Sequence, residues 1–394
     1  MNLETVRVAA ETAYQDAVKL RRELHMYPEL SNCEERTMNL VCEYLDQLHI
    51  PYTKNVGGHG VVALIGDSEA EFAVGIRADM DALPIQEKND VPYASKVPGV
   101  MHACGHDIHT AALLGTAKVL KGMENELKGA VKLFFQPAEE KGGGARQMIE
   151  AGCMNDPPVR NVIGLHVTPD LPTGHVSFMF GKMNASSTSF TITVRGQACH
   201  GARPQKGVDA IVAAGSVLTG LQSVVSRSVS PVESAVVTVG TIHGGTKNNI
   251  VAGEVEMTGT IRALNMETRE LVKQRVREVA EHAAAAHGAV AEVVITDGYP
   301  PLVTDIPVTQ QMLDVAKQVL GEAYVHIRTE PSLGAEDFAY FTNTVPGTMF
   351  RLGTDGGDNE HPQLLHNEWF CPDDRCLKNG IILEVTGALT LLNK

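Results

Sequence analysis

The chain is short of positive charge. It carries 33 lysines and arginines against 47 aspartates and glutamates, a formal net charge of −14. A surface of that sign repels a phosphate backbone, which argues against a nucleic-acid partner. Aromatic residues are scarce, 5% of the chain with one tryptophan, Trp369. No run approaches the roughly 20 apolar residues that span a bilayer. The opening stretch MNLETVRVAAETAYQDAVKL lacks the apolar segment of a signal peptide. A cytoplasmic protein with no membrane partner is therefore expected. There is no internal repeat, no low-complexity tract and no Cys-x-x-Cys pair. The seven cysteines are odd in number and scattered, which is no disulfide framework. Most read as small buried hydrophobes, and only Cys104 has neighbours that suggest chemistry.

At 394 residues and 43% hydrophobic composition, the chain is globular and too long for one ordinary core. Hydrophobic spacing predicts helices over 3–25 and 33–48. Strand-like runs follow at VVALIG (Val61–Gly66), FAVGIRA (Phe72–Ala78), AVKLFFQ (Ala130–Gln136) and NVIGLHV (Asn161–Val167). The helical run Ile108–Lys121 lies between the second and third strands, an α/β alternation. The texture changes near Lys182. SFTITVRG (Ser189–Gly196) alternates with period two. A helix pattern (Asp209–Arg227), strands Ala235–Ile242 and Glu254–Ala263, a helix (Thr268–Gly288) and a strand (Ala291–Thr296) complete a split βαβ, ferredoxin-like order. The expected organisation is α/β: a mixed-sheet domain formed by 1–182 and 298–394, with an α+β domain over 183–297 inserted in it.

HACGHDIH (His102–His109) offers Cys104 and His106 two residues apart before a helix. In an extended segment such side chains point the same way, and thiolate and imidazole both bind zinc and related ions. The alternative is a polar loop with a buried cysteine. QPAEE (Gln136–Glu140) places two carboxylates at the carboxyl end of a strand, where open α/β sheets bind ligands. One of them can bind metal while the other faces water, or the pair is a solvated acidic turn. His166, in an apolar strand, and His366, in LLHNEWF (Leu364–Phe370), are each a ligand or a satisfied core histidine. Taken together, these residues suffice for one or two metals with a spare carboxylate as base. His25 reads as a core or helix-end residue, and His109 as a group that orients a neighbour. Gly142–Gly144 lacks the strand and Lys-Ser/Thr of a phosphate-binding loop and reads as a tight turn.

RRELHMYPELSNCE (Arg21–Glu34), IRADMDALPIQE (Ile76–Glu87), MHACGHDIHTA (Met101–Ala111), FQPAEEKGGGA (Phe135–Ala145), GLHV (Gly164–Val167), GGTKNNIVAGEVEMTGTIR (Gly244–Arg262) and GAEDFAYF (Gly334–Phe341) occur in that order. This ordered set resembles the M20 peptidase family in its amidohydrolase branch, which hydrolyses N-acyl-amino acids, hippurate and auxin conjugates. The resemblance implies a zinc-peptidase-type catalytic domain with an inserted dimerisation and lid domain, hence a homodimer. It implies two divalent metal ions (zinc, manganese, cobalt or nickel) on Cys104, His106, Glu140, His166 and His366, with Glu139 as general base. It implies that His200, in ACHGARP (Ala198–Pro204), reaches the partner's active site. Asn249 and Arg262 match positions that contact the substrate's carboxylate or the oxyanion. Asp79 stands where related enzymes carry a metal-binding histidine; with Asp there, the bridging role passes to Cys104. Cys199, Asn367, Glu368 and His59 depart from the usual pattern and bear on the substrate pocket. The substrate implied is a small N-acyl-amino acid. A dipeptidase or aminopeptidase on the same metals is the alternative, favoured if Glu368 is an acidic recognition group. A catalytically dead scaffold and a thiol redox protein built on Cys104 are the readings from other classes.

Overall fold

A computed structural model describes residues 3–357, 361 and 363–393. The chain divides into two compact units. One comprises Met1–Gly181, Val303–Thr329 and Asp337–Lys394; the other comprises Lys182–Leu302 and Glu330–Glu336.

The first unit is built on an eight-stranded mixed sheet. Its strands are β1 (Tyr52–Lys54), β2 (Val61–Gly66), β3 (Ala73–Asp79), β4 (Ala130–Gln136), β5 (Val159–Pro172), β6 (Val176–Phe178), β7 (Val325–Ile327) and β8 (Gly347–Asp355), in the spatial order β1-β2-β4-β3-β5-β8-β6-β7. The centre is parallel: β3 pairs with β4 and β5, and β5 with β8. β2 joins β4 antiparallel. Strands β3 and β4 are buried along their whole length, as expected of strands covered on both faces.

Helix α1 (Leu3–Met26) buries Val6, Ala10, Ala13, Ala17, Arg21, Leu24 and His25, the stripe of an amphipathic helix, but with two polar residues at its end. Helix α2 (Glu35–Gln47) also packs on this core, and α3 (His106–Gly122) is buried over nearly its full length. Helices α4 (Ile306–Leu320) and α5 (Cys376–Leu392) complete the layers.

The second unit has a four-stranded antiparallel sheet. In space the strands run Ala235–Gly244, Glu254–Ala263, Thr188–Arg195, Val290–Asp297. In chain order that is 2-3-1-4, with one helix after the first strand and one after the third. Phe190, Ile192 and Val194 alternate inward and pack with the helices Ala210–Ser223 and Met266–Ala285. Asp209 and Asn265 cap those helices by accepting from free first-turn amides. By length and mean hydropathy alone, the helical stretch Ala210–Ser228 is long and apolar enough to cross a membrane, as a core helix also can be. Here it lays Ala210, Ala213, Ala214, Val217 and Leu221 into the unit's own core.

Candidate metal centre

The residues singled out in HACGHDIH do converge, but not by extended-strand alternation. Gly105 takes a left-handed conformation, φ 82°, immediately before α3. A Cβ there would also lie 2.4 Å from a methyl of Val167. Only glycine makes this turn, which swings Cys104 and His106 inward together. The QPAEE segment is similarly forced. Ala138 sits at φ 55°, and Gly144 folds back so closely that a Cβ would meet the Pro137 carbonyl at 1.7 Å. The Gly142–Gly144 run is the turn that presents Glu139 and Glu140 beyond β4. His166 lies just beyond the last pairing of β3 with β5, Arg77 with Gly164.

Two trios of donor atoms result, each within 4.8 Å of one another and both including Cys104: Cys104 with His106 and His166, and Cys104 with Glu140 and His366. Glu139 joins His106 and Glu140 at the same spacing. The five ligands expected from sequence and the expected base therefore share one place in the first unit.

The hydrogen bonds fix which ring nitrogens are free. His106 Nδ1 donates to Asp81 Oδ1 at 3.2 Å, so Nε2 is the nitrogen that faces the site, 3.5 Å from Asp79 Oδ2. His166 Nδ1 donates to the Val167 carbonyl at 2.7 Å, so in the neutral ring, which burial favours, Nε2 carries the lone pair, 3.6 Å from Cys104 Sγ. His109 differs. Its Nε2 accepts from Val167 N at 2.9 Å and its Nδ1 donates to Asp79 Oδ1 at 2.5 Å. Although Asp79, His106 and His109 form a third close trio, both His109 nitrogens are committed and it orients Asp79. Asp79 in turn accepts from Arg77 Nη1 at 2.7 Å. Arg77, wholly buried, also binds Gln136 and Asp337.

Among the described residues, the buried atoms His106 Nε2 and Glu140 Oε1 make no hydrogen bond. Two ligand-capable atoms without a hydrogen bond in a buried pocket, beside a thiol and two further imidazoles, have the chemistry of a divalent cation site. The residues present fit the metals that the sequence implies. Burial pushes the Cys104 thiol up to about 12, a poor redox nucleophile but a good ligand to a cation that displaces its proton.

Two contributors escaped sequence reasoning. Asp81 accepts from His106 Nδ1 and, through Oδ2, from Glu140 N at 3.0 Å and Ser31 Oγ at 2.6 Å. It orients two of the candidate metal donors at once. Its signal was the Asp-x-Asp of RADMDAL at the end of β3. Asp337, of the GAEDFAYF motif, donates its amide to Glu139 Oε1 at 3.4 Å. His366 stands apart: its backbone is left-handed (φ 59°), its amide donates to Ala103 O at 2.8 Å, and Nε2 lies 3.2 Å from Glu140 Oε1. Glu368 is engaged in an ion pair with Lys88 at 2.6 Å.

In the second unit, a two-rung ladder pairs His200 with Ile250, which brings His200 beside Asn249. His200 Nδ1 accepts from Ala202 N at 3.0 Å, so a neutral ring carries its proton on Nε2 and points a donor outward. Arg262 is half-buried, and its Nη1 has no partner among the described residues.

Residues 75–384 match the model of peptidase family M20/M25/M40. An N-acetyl-L-cysteine deacetylase of Bacillus subtilis is 41% identical over 367 residues, 93% of this chain and 87% of that protein. Thermostable carboxypeptidase 1 of Saccharolobus solfataricus is 38% identical over 381 residues, 96% of this chain and 95% of that protein. The crystal structure of the Bacillus subtilis YXEP protein, described as a dinuclear metal binding peptidase from the M20 family, superposes with a TM-score of 0.85 at 35% identity, covering 97% of this chain and 99% of the other.

Proposed function

The chain belongs to peptidase family M20 and is a metal-dependent amidohydrolase, and from that premise we propose that it cleaves the amide bond of N-acyl-amino acids. One observation carries the reading: His106 Nε2 and Glu140 Oε1, buried without a hydrogen bond, lie amid Cys104, His166 and His366, with Glu139 adjoining. Cys104, which belongs to both trios, would hold the ions together with His106, Glu140, His166 and His366. When bound, the ions supply the Lewis acidity that makes water a nucleophile near neutral pH and polarises the amide carbonyl.

The chain's own groups do the rest. Glu139 takes the proton of the attacking water and returns it to the leaving nitrogen. His200 Nε2, the ring's free donor, stabilises the oxyanion. In a homodimer formed through the unit carrying it, His200 serves the site of the other subunit. Arg262, with an unpartnered guanidinium nitrogen, and Asn249 hold the carboxylate of the amino-acid product, which suits two parallel donors. The reading includes a cytoplasmic setting.

Peptide hydrolysis on the same ions is the second reading, supported by similarity to a thermostable carboxypeptidase. Dipeptidase or aminopeptidase action would need a carboxylate for the substrate's free amine, and Glu368 is already paired with Lys88. The deciding experiment is a panel of N-acetyl-amino acids, hippurate and dipeptides, assayed with metal-stripped protein reloaded with zinc, manganese, cobalt or nickel. Turnover of acylated substrates well above dipeptides supports the proposal; the reverse order replaces it with the peptidase.

A further inference from the structure

We propose that His25 is a positioning residue, a doubly protonated imidazolium that ties the turn carrying His106 to the loop carrying His366. This inference rests on the two-ion reading above. His25 closes α1 on its buried face and touches none of the five ligands. Its two nitrogens face carboxylates: Nδ1 lies 2.7 Å from Asp107 Oδ2, and Nε2 lies 3.2 Å from Glu87 Oε1. A carboxylate oxygen only accepts, so each short contact requires an N–H on the ring. Arg21 Nη2 also lies near Nδ1, but at 3.4 Å, as a neighbouring charge. A bare Nδ1 lone pair 2.7 Å from a carboxylate would be repelled by it. Burial and Arg21 oppose the ring's charge; Asp107 and Glu87 outweigh them and raise its proton affinity above the ordinary imidazole value.

Each carboxylate leads to one side of the metal centre. Asp107 follows His106 in the first turn of α3 and also pairs with Arg21 Nε at 2.9 Å. Glu87 leads to the other side. Its Oε1 accepts from Asn89 Nδ2 at 3.0 Å, and the same amide donates to the Phe370 carbonyl at 3.1 Å. Glu87 Oε2 accepts from Ser95 N at 2.6 Å, which fixes the segment's far end. Beside Asn89, the Lys88 amide donates to the Glu368 carbonyl at 3.0 Å. Residues 87–89 therefore clasp the loop that holds His366 in its left-handed conformation. Arg21 and His25 are the buried cations beside Asp107 and Glu87, and Arg21 also pairs through Nη1 with Asp374 at 3.1 Å, which Arg22 meets from the exposed side. Without the imidazolium, two carboxylates would face each other across an empty space, and the clasp would lose its anchor.

Glutamine carries both its N–H donors on one nitrogen and an acceptor on the other atom, so with the amide set where the two ring nitrogens stood, an oxygen faces a carboxylate in His25→Gln. Adding Glu87→Gln turns that clash into an amide pair. The test compares the unaltered protein, H25Q, H25Q/E87Q and N89L. Nitrogen spectra of ring-labelled histidine should show two N–H-type nitrogens for His25, assigned by their loss in H25Q. Competition between Co2+ and a chelator should show the weaker of two affinities falling about ten- to a hundredfold in H25Q and N89L, with recovery in H25Q/E87Q. A singly protonated His25, or an H25Q protein holding both Co2+ ions as tightly as the unaltered one, overturns the proposal. If H25Q does not fold, N89L, at a half-buried position, decides by the same measurement. If the unaltered protein binds no Co2+, the amidohydrolase reading fails. The tie is then judged in metal-free protein by amide exchange over residues 363–371, which N89L must accelerate; unchanged exchange overturns it.

Discussion

His106 and His366 face the same Glu140 carboxylate from opposite circumstances. His106 opens a buried helix, is fully shielded, and has its tautomer set by Asp81. His366 sits on an irregular loop, is about half exposed (52%), and holds a left-handed backbone that a non-glycine residue adopts only under constraint. One ligand is positioned by the core that every chain of this length must build. The other is positioned by a handful of side-chain and backbone hydrogen bonds from a distant segment. Ligands of the first kind come with folding, whereas those of the second kind depend on specific contacts that substitution can remove one at a time.

The comparison is sharpest where chemistry is removed and both sides are left standing. Glu139→Gln should keep its metals and lose about 10²–10⁴-fold in turnover, measured as kcat beside metal content; near-normal turnover would take Glu139 out of its role. His200→Ala should cost about 10²–10³-fold. Mixing it with Glu139→Gln protein should restore activity through hybrid dimers, and no recovery on mixing would mean that the site is not shared between subunits. The two imidazoles should then fail differently. His366→Ala should lose one ion of the pair because Cys104, His106 and His166 remain together, whereas His106→Ala should lose tight binding of both; metal analysis after gel filtration reads this directly. Asp81→Asn, which leaves every ligand in place, should weaken metal binding by about 10–100-fold, more at the His106 side. Equal loss at both ions would break the distinction drawn above.

The smallest effect concerns the scaffold. Glu384, fully buried on α5, accepts from Thr116 of α3 at 2.7 Å, and burial raises its carboxyl to about 8 from an ordinary 4.5. Between those values the unfolded chain gives up this proton and the folded one keeps it. Stability should therefore fall by up to about 1.4 kcal/mol per pH unit across that window and level off above it. Glu384→Gln should remove this decline, seen as a smaller drop in melting temperature from pH 6 to pH 9. Parallel melting curves would show that Glu384 does not titrate there.

Much of the centre was legible before any coordinates. Cys104, His106, Glu139, Glu140, His166 and His366 stand out because each is a metal-binding or basic residue at a strand end or loop edge, and the ordered motifs carried the family resemblance. The reason Cys104 and His106 turn the same way was not legible, because it lies in Gly105's left-handed turn and in a Val167 methyl from another strand. Asp81 was hidden for a related reason. Its neighbour Asp79 drew attention as a replaced ligand, while Asp81's two tasks appear only once β3, α3 and the QPAEE turn are adjacent. His25 reads from sequence as a helix-end residue, which it is. That it meets two carboxylates, 62 and 82 positions away, is a tertiary fact.

The half-exposed imidazole has a practical consequence for anyone preparing this enzyme. A chelator approaching from solution meets His366 before any other donor, so extraction would begin at one ion and proceed in stages. Brief dialysis would then yield molecules that are intact, partly emptied and fully emptied in unknown proportion. Specific activities compared between laboratories would differ with the buffer's history, unless each preparation is stripped to completion and reloaded.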